Sequence, residues 1–157
     1  MKKGIILGIV IIIVIVAVFA FNRLNNKEKT ENEEDSENGI LAGNISLYKK
    51  FTQEEYSNAL NENKVILLYF YANWCPICRA EQPETFSAFN SLDKENIVGF
   101  RVNYKDSDTD ADEQNLAKEF GVPYQHTKVI LSNGKQVLKS LEGWNKDRYL
   151  EELGKFN

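Results

Sequence analysis

The chain opens on eighteen residues without a charge, Gly4 to Phe21, composed mostly of Ile and Val. Coiled as one helix, that run would span ~27 Å, close to the hydrocarbon thickness of a bilayer. It predicts a membrane anchor over residues 1–21. Val18-Phe19-Ala20 offers a tolerable cleavage context, yet the apolar stretch exceeds the core of about 7–15 residues usual in a cleaved signal peptide. The pattern then inverts. Residues 22–44 are polar around a wholly charged or polar centre from Lys27 to Glu37, have little to bury, and predict a disordered tether with a mean reach of roughly 25–30 Å.

From Ile45 onward the pattern is that of a folded domain, 45–157. Thr52 followed by Glu55 is a capping box that opens a helix to about Asn61. Val65 to Ala72 is continuously apolar and predicts a buried strand that feeds a helix. Ile97 to Asn103 reads as another strand, and Asp110 with Glu113 caps a helix running to about Phe120. Val129 to Leu131 and Gln136 to Leu141 flank Asn133-Gly134, a hairpin signal because that dipeptide accepts positive φ. Asn145 caps a last helix from Lys146 to about Phe156. The order is βαβαβαββα, an α/β domain of about 113 residues, enough for one core and too short for two.

Charge changes this picture little. The net charge is −4 and the folded part has no basic run, which argues against nucleic acid as a partner. Asp106 to Asp112 alternates acids like a calcium loop but lacks the Gly that the sharp turn needs, so it reads as a solvated loop at a helix start. Phosphate-binding loops and Ser/His/Asp patterns are absent.

Cysteine usage changes it most. The chain has two cysteines and one histidine, and the cysteines stand three apart in Trp74-Cys75-Pro76-Ile77-Cys78, directly after the apolar strand. A Cys at the first turn of a helix sits among unpaired backbone N–H groups at the positive end of the dipole, which stabilises its thiolate. The second Cys lies on the same face. One thiolate can attack a disulfide in another molecule and the other can resolve the mixed disulfide. A structural zinc site would need four closed ligands, more than these residues supply. The pair supplies its own electrons, so no cofactor is expected. Arg79 places a cation beside the pair, and Pro83 falls inside the predicted helix and should kink it.

Apolar strand, Trp-Cys-x-x-Cys, basic residue and helix-kinking proline together resemble the thioredoxin superfamily, over roughly Ile45 to Phe156. The resemblance implies a thioredoxin fold, a central mixed sheet flanked by helices, here preceded by one transmembrane helix and a tether. It implies a redox-active disulfide between Cys75 and Cys78, protein thiols and disulfides as partners, an unidentified redox partner, and substrate docking on Trp74, Pro76, Gln125 and Thr127. Glu81 occupies the position where membrane-anchored thioredoxins of the cytochrome-c-maturation type carry an acid that interacts with the active site, and it can take or give the proton of Cys78. An exposed helix glutamate is the other reading. Cytoplasmic thioredoxins bury an aspartate six residues before the first Cys, where this chain has Tyr69. Pro76-Ile77 matches the dipeptide of neither the reducing thioredoxins nor the periplasmic oxidants, so the direction of electron flow stays open.

The largest departure is at His126. Thioredoxins place a cis-proline opposite the cysteine pair, followed by Thr and a strand; here the register gives His126 followed by Thr127, with Pro123 as a fallback three residues earlier. If His126 holds that position, the peptide before it should be trans. A histidine beside the pair can act as imidazolium lowering the Cys75 pKa, as a neutral base shuttling the resolving proton, or as a ligand completing a Cys75, Cys78, His126 set for Cu or Zn in a metal-binding assembly factor. The catalytic candidates are thus Cys75, Cys78, His126 and Glu81.

Orientation rests on flanking charge. Lys2 and Lys3 stand before the apolar run, and Arg23, Lys27 and Lys29 after it, nearly a tie under the positive-inside rule. The short N-terminal tail looks like a signal-anchor, and membrane-tethered thioredoxins resemble the extracytoplasmic thiol-disulfide proteins of prokaryotes. Both place the domain outside.

Overall fold

The computed structural model describes residues 39–156. The anchor over 1–21 and residues 22–38 of the tether lie outside these residues. Among the described residues no helix is long and apolar enough to cross a membrane.

Six strands form one mixed sheet in the order β1-β2-β4-β3-β5-β6. In chain order the elements are β1 (Ile40–Ala42), β2 (Leu47–Lys50), α1 (Gln53–Asn61), β3 (Val65–Tyr71), α2 (Pro76–Phe89), β4 (Ile97–Asn103), α3 (Ala111–Glu119), β5 (Thr127–Ser132), β6 (Lys135–Ser140) and α4 (Lys146–Gly154). Strands β2, β4 and β3 run parallel, and β5 and β6 return antiparallel. The parallel crossovers and terminal hairpin follow the expected order, with one strand more at the beginning.

That extra strand moves the start of the folded unit from Ile45 to Gly39. β1 pairs antiparallel with β2, Lys50 N donates to Gly39 O at 2.7 Å, and Leu41 and Ala42 pack on the core. The turn between them needs Gly43, whose φ is 93° and where any Cβ would strike the Ser46 carbonyl. Three residues behind a long charged segment are too short a pattern to read as a strand.

All seven residues of β3 are buried because the sheet is covered on both sides. Val65, Leu67, Tyr69 and Tyr71 join the core beneath α2 and α4 with Phe89, Tyr149 and both cysteines. Ile66, Leu68 and Phe70 join the core beneath α1 and α3 with Tyr56 and Leu116. In β4, Gly99 lets α2 lie close: a Cβ there would run into the Phe89 ring and approach the Tyr48 ring to 2.7 Å.

The helix ends follow the expected caps, with one difference. Asp110 and Glu113 form a reciprocal capping box, and Asn145 accepts from Arg148 N. At α1, Thr52 accepts from Glu55 N at 3.2 Å, but the Glu55 carboxylate turns to the Lys49 ammonium, a charged partner that is preferred over the neutral cap N–H. Asn133 and Gly134 hold φ of 51° and 69°, as a two-residue hairpin turn between β5 and β6 requires.

Candidate active site

Strand β3 ends where the chain must turn into α2, and the turn is held from two sides. Cys75 N donates to Ala72 O at 3.0 Å. Asn73 N donates to Asp106 Oδ2 at 2.9 Å and Trp74 Nε1 to Lys105 O at 3.0 Å. The acidic loop is therefore more than solvated surface, since Asp106 fixes the entrance to the cysteine motif. Cys75 is the N-cap of α2, with Pro76 in the first turn and Pro83 inside the helix. Its Sγ accepts a hydrogen bond from Cys78 N at 3.2 Å, the contact by which a helix N-terminus favours a thiolate. Both cysteines are free and buried.

His126 faces this pair. Strand β5 begins immediately after it, at Thr127, so His126 and not Pro123 occupies the position opposite the cysteines. No peptide bond among the described residues is cis, which fits the trans expectation for His126. Its backbone is left-handed, with φ of 55°, and its N–H donates to Phe70 O at 2.7 Å. This conformation brings Nδ1 to 4.0 Å from Cys75 Sγ, and the Tyr124 ring packs against the imidazole at 5.1 Å between centroids. Burial, followed by the Lys128 ammonium, lowers the imidazole pKa below its ordinary value. The Glu81 charge opposes that shift, and the net direction favours the neutral ring, and with it the base or ligand role over the imidazolium one.

Beneath the cysteines lies a buried polar cluster centred on Glu81. Glu81 is only 4% exposed, so the reading as an exposed helix residue does not hold. Oε1 receives Lys128 Nζ at 2.6 Å, Tyr149 OH at 2.7 Å and Trp144 N at 2.9 Å. Oε2 receives Tyr69 OH at 3.1 Å. Burial, then the charge of Glu81, raises the pKa of both tyrosines, so both hydroxyls keep the protons they donate. Lys128 is fully buried; it also donates to the carbonyls of Glu142 at 2.6 Å and His126 at 3.0 Å and sits 5.0 Å from the Tyr69 ring centroid. Burial lowers its pKa while Glu81 opposes that shift. The Cys78 thiol is pushed up to about 11, first by burial and then by its hydrogen bond with Cys75. The Ala72 backbone and the Tyr69 hydroxyl act in the opposite sense.

Around the cysteines the surface is apolar. Trp74 is 51% exposed, Ile77 49% and Tyr124 39%; Pro76 is exposed and Gln125 half-buried. Thr127 must be removed from the docking surface, because its side chain is fully buried and its hydroxyl donates to Tyr124 O at 2.7 Å. Arg79 is exposed on α2. Sequence reasoning missed Lys128, whose only signal was a lone charge opening the apolar run of β5, and saw in Tyr69 only a missing aspartate.

The thioredoxin family model matches residues 47–155. Among curated proteins, the chain is 37% identical over 97 residues to thioredoxin H4 from Arabidopsis thaliana, covering 59% of this chain and 71% of that one. It is 27% identical over 139 residues to the thiol:disulfide interchange protein DsbE of Haemophilus influenzae, covering 86% and 71%. Among solved structures, a point mutant of the thioredoxin from Halobacterium salinarum is 25% identical, with a TM-score of 0.55 over 75% of this chain and 96% of that one. The sheet order, Cys75 capping α2 with Cys78 in its first turn, and a family match along more than half of the sequence agree: the chain belongs to the thioredoxin family and is a thiol-disulfide oxidoreductase.

Proposed function

We propose that this chain exchanges disulfides with protein substrates through Cys75-Pro76-Ile77-Cys78, from a membrane tether and on the extracytoplasmic side. The observation that carries the chemistry is the hydrogen bond from Cys78 N to Cys75 Sγ at the N-cap of α2, which makes Cys75 the attacking group. Its thiolate bonds to one sulfur of a substrate disulfide and expels the other as thiolate. Cys78 then loses its proton and attacks Cys75 Sγ, releasing the second substrate thiolate and leaving a Cys75–Cys78 disulfide. The protein loses two electrons and the substrate gains them; run backwards, the same steps oxidise a dithiol. A second thiol or disulfide partner restores the starting state.

The proton of Cys78 has two candidate acceptors. Neutral His126 lies beside Cys75, and Glu81 lies beneath, reached through the Tyr69 hydroxyl that is bonded to it. Exposed Trp74, Ile77 and Tyr124, with Pro76, form an apolar rim that receives the substrate chain, and Gln125 adds a polar amide beside it. The tether rests on the uncharged run from Gly4 to Phe21 and the charged segment after it.

Trapping tests the chemistry. Full-length Cys78→Ser, offered a disulfide-bonded protein, should accumulate a mixed disulfide through Cys75, while Cys75→Ser should accumulate none. Equal trapping by both variants overturns the assignment. For the tether, the chain should sediment with membranes, and protease added to intact cells should remove its folded domain; recovery in the soluble fraction refutes that part.

A further inference from the structure

We propose that Cys75, Cys78 and His126 form a three-coordinate site for a soft monovalent cation, Cu(I). The two cysteines and the one histidine of this chain converge, with Sγ, Sγ and a ring nitrogen all within 4.8 Å of one another. Cys75 Sγ and His126 Nδ1 are 4.0 Å apart. Metal–sulfur and metal–nitrogen bonds of about 2.3 and 2.05 Å put adjacent donors about 3.8 Å apart in a trigonal plane and about 3.6 Å apart in a tetrahedron. The Cys75–His126 spacing exceeds both figures by a few tenths of an ångström, so these two donors reach a common ion with a small contraction.

Two further features favour a ligand over a packing role for the histidine. A non-glycine residue in the left-handed region at 55° is uncommon, and such strain persists where the surroundings enforce it; here it aims the ring at the pair. The cysteines are buried while His126 is half-buried, giving a low-dielectric site with one open side for metal transfer. Two thiolates and an imidazole select a soft ion. The cluster of possible ligands among the described residues stops at three, whereas structural zinc closes four.

Binding replaces the two thiol protons, which leave for solvent, and occupies both sulfurs needed for exchange. A disulfide RSSR that oxidises the pair takes its two electrons and departs as two thiolates. The sulfurs become Cys75–Cys78 and the ion leaves still as Cu(I). Metal occupancy and disulfide exchange thus exclude each other.

The test uses the reduced full chain under anaerobic conditions, titrated with Cu(I) held by bicinchoninate. One copper per chain should transfer, and X-ray absorption should show two sulfur neighbours and one nitrogen. His126→Ala and His126→Gln should lose the nitrogen neighbour and bind at least tenfold more weakly, with unchanged far-ultraviolet circular dichroism. No transfer, absence of a nitrogen neighbour in the wild-type spectrum, or unchanged affinity in both folded variants overturns the proposal. So does a matched Zn(II) titration giving a tighter, four-coordinate site. The wild-type spectrum decides even if the variants fail to fold, and failure of metal binding leaves disulfide exchange intact.

Discussion

Lys128 Nζ lies 2.6 Å from Glu81 Oε1, with the side chains 0% and 3% exposed, so the candidate active site rests on a fully buried ion pair. Two charges held this deep are tolerable only if each is saturated with partners. Glu81 has Tyr69, Trp144 N and Tyr149 as further donors, and Lys128 has two carbonyls. The pair fastens β5 to α2 directly behind the cysteines.

Removing one partner should therefore cost far more than the pair itself contributes. Lys128→Met leaves a buried carboxylate uncompensated and should lower the unfolding free energy by about 3–5 kcal/mol. Combining it with Glu81→Gln, whose amide oxygen can still accept from Trp144 N and Tyr149 OH while its NH2 faces the Tyr69 hydroxyl, should recover at least about 1 kcal/mol relative to the sum of the single variants. Urea denaturation at neutral pH measures all three, and strict additivity would show the two side chains to be uncoupled.

The thiols should respond to pH differently. Cys78 is pushed up to about 11 from an ordinary value of 9.0, so a folded chain keeps its proton where an unfolded chain gives it up. That stability is fully present below about pH 9 and is lost as pH rises from there through about 11. Cys78→Ala should flatten this alkaline fall in unfolding free energy. In iodoacetamide labelling, Cys75 should be modified first at neutral pH, and Cys78 should become reactive only in strongly alkaline solution; Cys78 reacting first would reverse the assigned roles.

Proline, the usual residue opposite the cysteines in this family, should not fit here. His126 has φ of 55° and donates its N–H to Phe70 O, whereas proline fixes φ near −65° and has no N–H. His126→Pro should destabilise the domain by roughly 3 kcal/mol or more. His126→Gly, at ease in the left-handed region, should stay within about 1 kcal/mol of wild type. A proline variant as stable as wild type would mean that this loop can be rebuilt around a different backbone.

What could be read from the sequence was whatever short-range pattern specifies. The seven apolar residues of β3, the cysteine cap three residues ahead of its partner, the Asp110–Glu113 box and the Asn133-Gly134 turn each carry their instruction within a few positions, and each formed. His126 was found by counting back from that turn. Pairings set by tertiary contact left no such trace. Glu81 read equally well as surface helix, because its burial comes from Lys128, Trp144 and Tyr149, all far along the chain. Lys128 drew no reading, because a lone lysine before an apolar run says nothing of a carboxylate waiting beneath. Thr127 was placed on the surface by family register, yet the first residue of β5 points its hydroxyl inward to Tyr124 O. Ile40 to Ala42 looked like the end of the polar tether until β2 gave them a partner.

Whether Cys75 and Cys78 form a reversible two-electron couple is decided by equilibrating the full chain in glutathione buffers of graded ratio. After acid quenching, mass spectrometry reads the state of both cysteines. The wild type should show one reversible transition between dithiol and an internal Cys75–Cys78 disulfide, with glutathione adducts on Cys75 scarce in the wild type and abundant in Cys78→Ser. A chain that remains dithiol at every ratio, or carries stable glutathione on Cys75 that Cys78 never displaces, would contradict it.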